Sequence, residues 1–148
     1  DYRVGIYPVQ PALADLNGDG GADLAVPNLY SNSVSVLLNL PVISVFPNTV
    51  SFGKEKVGSA SKAHVITLGN PSGTPITIGS LALTGAAAGD FTEANNCPVS
   101  PATLAPGATC GVRVTFKPTA TGPRRAKISV SDSVPGSPQV VTLVGTGT

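Results

Sequence analysis

Residues 15–23 read Asp-Leu-Asn-Gly-Asp-Gly-Gly-Ala-Asp, so three carboxylates and one side-chain amide fall at odd positions of a nine-residue stretch. Only 11% of the chain is charged, and no basic residue lies within the stretch to offset that repulsion. With Asp15 as the first position, oxygen-bearing side chains stand at Asp15, Asn17, Asp19 and Asp23, and Gly21 offers a backbone carbonyl between the last two. Alternate residues of a tight loop point inward together, and Gly18 and Gly20 supply the positive φ angles that curl it. Hard oxygen donors in that number suit Ca²⁺, which takes roughly six to eight oxygens, with water filling the remainder. Mg²⁺ suits the set less well because it keeps more of its own water. The ion's charge would offset the three carboxylates.

Two simpler readings compete. Asn17-Gly18 and Asp19-Gly20 are both hairpin-turn dipeptides, but a turn alone does not require Asp23 or the regular spacing. An EF-hand requires a bidentate acid at the twelfth position, which here is Val26, and helical flanks where this chain has Pro11 and Pro27. The loop instead resembles the calcium loop of FG-GAP/VCBS repeats, the blade units of β-propellers. The resemblance covers about residues 3–39 through Val4-Gly5, Ala14 to Gly20, Asp23-Leu24-Ala25-Val26, Asn28, and Ser31 to Leu38. It implies metal ligation by Asp15, Asn17, Asp19, Gly21 (through its carbonyl) and Asp23. Blades normally close into rings of about 4–8, whereas this chain carries one repeat. Three short strands cannot cover both of their faces, so this segment must lean on its own neighbour, on another chain, or on further blades.

Elsewhere the composition is that of short strands joined by turns. The chain has 148 residues, 41% of them hydrophobic, with 17 Gly and 14 Pro. No apolar run approaches the length that spans a bilayer, so membrane insertion is not expected. With no Met, the chain reads as a processed product or an excised piece, and a removed signal peptide would leave no trace. Net charge is +1 but uneven: residues 1–40 carry −3 and residues 41–148 carry +4. The basic residues are dispersed, with Arg124-Arg125 as their only adjacent pair, so no nucleic-acid face is expected.

Strand-like runs occupy 12–15, 23–26 and 33–38, then 43–46, 64–68, 76–83, 111–116, 127–130 and 139–144, with a short one at 91–93. Alternation places Val112, Val114 and Phe116 inward, and Ala126, Ile128 and Val130 likewise. The predicted fold class is all-β: a partial propeller-like blade over residues 1–40, then a seven-strand Ig-like β-sandwich over 41–148. No helix is expected. The second part resembles the hydin-type Ig-like domains, also known as choice-of-anchor D domains. Val50-Ser51-Phe52-Gly53, Gly89-Asp90-Phe91, Asn96-Cys97, Leu104 to Cys110, Thr121-Gly122 and Val141 to Thr148 carry that likeness. It implies a secreted, multi-module protein without catalytic activity.

Cys97 and Cys110 are the only cysteines and read as one disulfide in an exported chain. Zinc is disfavoured because His64 is the sole histidine. Candidate catalytic groups are poor. His64 reads as an ordinary strand residue, Asp90 and Glu93 as solvated carboxylates of a turn, and no nucleophile elbow or phosphate-cradling loop is present. The function expected is that of a non-enzymatic, calcium-binding structural module at the cell surface or outside the cell, building a fibre, stalk or adhesive surface by β-strand association. Its partners would be copies of itself or upstream propeller blades. The alternative is an accessory module that binds a surface glycan or a protein, with Tyr2, Tyr7 and Tyr30 serving where Trp is absent.

Overall fold

A computed structural model describes residues 3–148. Asp1 and Tyr2 lie outside the described residues, and with them the start of the 1–40 segment and one candidate tyrosine. Three strands form a first antiparallel sheet in the order β1-β2-β3: β1 (Ala12–Ala14), β2 (Asp23–Asn28) and β3 (Ser33–Leu37). Its register pairs Leu13 with Leu24 and Leu24 with Leu37.

The remaining strands build a two-sheet sandwich. They are β4 (Ser44–Phe46), β5 (Thr49–Glu55), β6 (His64–Gly69), β7 (Ile76–Thr84), β8 (Phe91–Asn95), β9 (Thr103–Leu104), β10 (Thr109–Phe116), β11 (Gly122–Asp132) and β12 (Gln139–Gly147). One sheet has the order β4-β6-β10-β8 and the other β5-β12-β11-β7-β9. All neighbours are antiparallel except β12 and β5, which run parallel. Seven of these strands have five or more residues. The two additional ones, β4 and β9, are short edge strands of three and two residues.

The alternation expected in β10 and β11 is present. Val112, Val114, Phe116, Ala126, Ile128 and Val130 are all buried. They meet Val50, Phe52, Ile66, Leu68, Phe91, Val141 and Leu143 in one core. Phe52, Phe91 and Phe116 form its aromatic centre, with Phe91 stacked on Phe116 at 4.8 Å between ring centroids. Strand β11 runs well beyond the expected 127–130 and includes Pro123. Proline is tolerated there because β7 pairs with β11 only from Lys127 onward, which leaves the first half of β11 as an edge on that side.

Strand β5 is absent from the strands read in the sequence, and its pairing explains why. Between Ser51 and Lys54 the register with β12 shifts, and Gly53 lies at φ +68°. The extra residue bulges out and breaks the period-two pattern after Val50 and Phe52. A second difference is the short 3-10 turn Ala88–Asp90, which brings Asp90 to the core's rim rather than into solvent.

Cys97, just after β8, is bonded to Cys110 in β10, with Cα atoms 5.0 Å apart and a sequence separation of 13. Closing a loop of this size restricts the unfolded chain, so reduction is expected to lower stability by about 3 kcal/mol. Urea unfolding with and without reductant measures this as a shift in the midpoint.

Candidate metal centre

Residues 15–22 connect β1 to β2, and their polar side chains fold back on the loop's own backbone. Asp15 Oδ1 accepts the N–H groups of Gly18 (2.8 Å) and Asp19 (3.1 Å), while its Oδ2 accepts that of Gly20 (2.9 Å). Asn17 Oδ1 accepts the Asp19 N–H, and Asn17 Nδ2 donates to Asp19 Oδ2, both at 2.9 Å. Asp19 Oδ1 accepts the Gly21 N–H at 2.8 Å. Gly18 and Gly20 take φ values of +77° and +81°, the left-handed conformations that this curl demands.

Asp23 differs from the other two aspartates. It is buried, with 1% exposure, at the first position of β2. Its Oδ1 accepts the Asn39 N–H at 2.7 Å and its Oδ2 the Leu16 N–H at 2.9 Å. These two bonds, Asn39's foremost, outweigh burial and hold its carboxyl below the usual carboxylate range. The structure thus gathers Asp15, Asn17, Asp19 and Gly21 into one hydrogen-bonded turn and sets Asp23 at its base.

The donor chemistry suits a hard cation, since each carboxylate has about four lone-pair sites and these amides engage only some of them. Among the described residues no three acidic, His or Cys side chains form a group that could hold an ion as they stand. Binding would therefore require the carboxylates of Asp15 and Asp19 to turn inward from the amides. Nor does a basic side chain pair with the loop's carboxylates among the described residues. Among the described residues the one ion pair joins Arg124 to Asp90, far along the chain.

That ion pair corrects the reading of Asp90 as a solvated carboxylate. Asp90 is 3% exposed and receives bonds from the Thr119 hydroxyl (2.6 Å), the Thr119 N–H (3.2 Å) and Arg124 Nε. Its backbone carbonyl also accepts the Lys117 N–H. Sequence parity held the signal: Arg124 shares the inward face of Ala126 and Ile128, so it needed an acid at the core's rim. Glu93 lies in β8 opposite Val114, half-buried, and accepts a bond from Asn95. His64 is exposed at the start of β6, with its ring edge-on to Phe52 at 4.8 Å.

The sandwich itself identifies the class. Residues 39–140 match the family described as ASH, Abnormal spindle-like microcephaly-assoc'd, ASPM-SPD-2-Hydin, and the chain belongs to that family. The hydin-type likeness read from residues 43–148 is this same family, and its match begins only after β3. Among solved structures, the chain is similar to the ASH / PapD-like domain 7 of human CEP192, at 17% identity and a TM-score of 0.56, covering 78% of this chain and 96% of that one. It is also similar to the Vibrio cholerae VesB protease (15% identity, TM-score 0.52, 88% of this chain and 45% of that one). The secreted serine protease VesC from the same organism gives 15% identity, a TM-score of 0.51, and coverage of 86% and 33%. The chain thus spans less than half of either protease. At these identities the likeness is one of fold, an Ig-like, PapD-like sandwich, and function must be argued from the site. No match is found among curated proteins.

Proposed function

We propose that the chain is a non-enzymatic structural module, carried outside the cell, whose 15–23 loop binds Ca²⁺ and whose three-stranded sheet is completed by β-structure from a second copy. The observation that carries this reading is the incompleteness of that sheet. No residue of β1–β3 belongs to the sandwich core, and Leu13, Val34 and Val36 are more than half exposed. Among the described residues no strand pairs with the outer sides of β1 and β3. Open edges of this kind take up further strands, and head-to-tail addition that does not close yields a filament. The opposite charges of residues 1–40 and 41–148 favour contacts between unlike parts of two copies. The Cys97–Cys110 bond supports an oxidising compartment. Light scattering and negative-stain microscopy of the pure chain in calcium test the assembly. Concentration-dependent oligomers or fibres are expected, and a monodisperse monomer at all concentrations rejects it. The same open edges would serve an upstream propeller blade, and a longer reading frame with further repeats would favour that partner.

Calcium has its own test. An ion that binds the folded loop and not the unfolded chain raises Tm, by an amount that grows with its concentration. Asp19→Ala, which removes a central carboxylate, is expected to abolish the rise, and a melting curve indifferent to calcium and chelator rejects the metal.

One observation favours an accessory glycan-binding role as a second reading. Tyr7 and Tyr30 stack at 4.6 Å between centroids while remaining 54% and 69% exposed. An open aromatic pair offers sugar rings an apolar platform, and binding on a glycan array that is lost in Tyr30→Ala tests it.

A further inference from the structure

We infer that the 15–23 loop is a latch that fixes the angle between the three-stranded sheet and the sandwich, with Asp23 as its positioning residue. Asp23 is the one loop carboxylate that reaches beyond the loop. Its Oδ2 accepts the N–H of Leu16 at the loop's entry, and its Oδ1 accepts the N–H of Asn39, 16 residues on, where the chain leaves β3 for the sandwich. A carboxylate held by two backbone amides at nearly full burial ties both segments to a single rigid group.

The loop's far side touches the sandwich. A Cβ at Gly20 would stand 3.1 Å from Thr74 Cγ2, and one at Gly73 would stand 3.7 Å from the Gly20 carbonyl oxygen. Gly21 approaches Asn39 as closely, since a Cβ there would lie 3.1 Å from Asn39 Nδ2 and 3.3 Å from its carbonyl oxygen. A cavity of about 170 Å³ lies at this junction, walled by Asp19, Gly21 and Asn39 on one side and by Pro71, Ser72 and Thr74 on the other. Among the described residues the three-stranded sheet and the sandwich share no hydrophobic core, so these loop contacts and the 38–43 connection carry their alignment.

The regulatory part rests on the proposed calcium site. Drawing Asp15 and Asp19 toward an ion that also takes a free lone pair of Asp23 pins the group that holds Asn39, so metal binding and alignment are one equilibrium. Calcium would then tighten the latch.

Amide hydrogen exchange and residual dipolar couplings on the full chain test both parts. In the wild-type chain the Asn39 amide is expected to exchange at least about tenfold slower than an open amide, and couplings from β1–β3 and β4–β12 are expected to fit one alignment tensor. Asn39→Pro deletes the donor while leaving every residue of the loop itself unchanged, and is expected to split the fit into two tensors. A fast-exchanging Asn39 amide, or one tensor retained in that variant, overturns the latch. If the variant loses the small sheet, the wild-type exchange of Asn39 still decides. For the regulatory part, Ca²⁺ is titrated with calorimetry alongside, and further slowing at Asn39 is expected. Binding without any change at Asn39 overturns the coupling while the calcium site survives. No binding at all overturns the calcium site and the coupling with it, leaving the latch to the exchange data.

Discussion

Replacing Phe116 with alanine is expected to lower folding stability by about 3–5 kcal/mol, the range for deleting a fully buried aromatic side chain. Phe116 has no exposed surface, stacks on Phe91, and lies 5.7 Å from Phe52 between centroids. It also fills the space over Gly145 in the facing sheet, where an added Cβ would stand 2.5 Å from the ring. The truncation therefore opens a gap between the two sheets that a rigid glycine backbone cannot fill by moving a side chain. Against a total of about 5–15 kcal/mol for a single domain, such a loss brings the fold near its limit. Chemical denaturation measures it, and a change below about 1 kcal/mol would mean that the two sheets close over the gap.

Arg124→Ala comes next in size, at roughly 3 kcal/mol, the low end of the cost of stranding a buried charge, because Thr119 still bonds Asp90. Burial alone would raise the Asp90 carboxyl. The bonds from Thr119 and Arg124, with the guanidinium's charge, more than reverse that and hold it below its ordinary value. A carboxyl depressed in the folded state contributes stability that is fully present above its unfolded pKa of about 4 and is lost as pH falls toward its folded value. In Arg124→Ala the folded carboxyl rises toward its unfolded value, so the stability this group loses on acidification should be smaller, and its loss complete at a higher pH, than in the wild type. Replacing the pair together, as Asp90→Asn with Arg124→Met, should cost less than the single change. Denaturation midpoints across pH 2–7 report all three outcomes.

How much of this was legible in the sequence depends on the range of each interaction. Strands β10 and β11 announce themselves because Val112, Val114, Phe116 and Ala126, Ile128, Val130 repeat every second residue and face one core. Strand β5 does not, since its bulge at Gly53 removes the repeat after two turns of the pattern. The loop's curl was readable from Gly18 and Gly20, both local requirements. Its tie to Asn39 was not, because nothing near Asp23 in the chain signals a partner 16 residues away. Asp90 was misread for the same reason. Its neighbours look like a solvated turn, and its partner Arg124 lies 34 residues on. Burial of Asn28, which donates to Ser35 across the small sheet at 2.9 Å, also escapes a local reading.

The parallel pairing of β5 with β12 has a mechanical consequence. Tension applied between the segment preceding β5 and the segment following β12 pulls these two neighbours past one another along their length. Their cross-strand hydrogen bonds then carry the load together in shear, whereas an antiparallel terminal pair would open one rung at a time. Strand β4, three residues long, has fewer rungs than β5 to resist the same pull. Resistance to stretching is governed by the rate of unfolding rather than by equilibrium stability. A sandwich pulled in this direction would therefore hold force well for its size, and Gly53, where the ladder skips a rung, is the point at which the two strands would begin to slide.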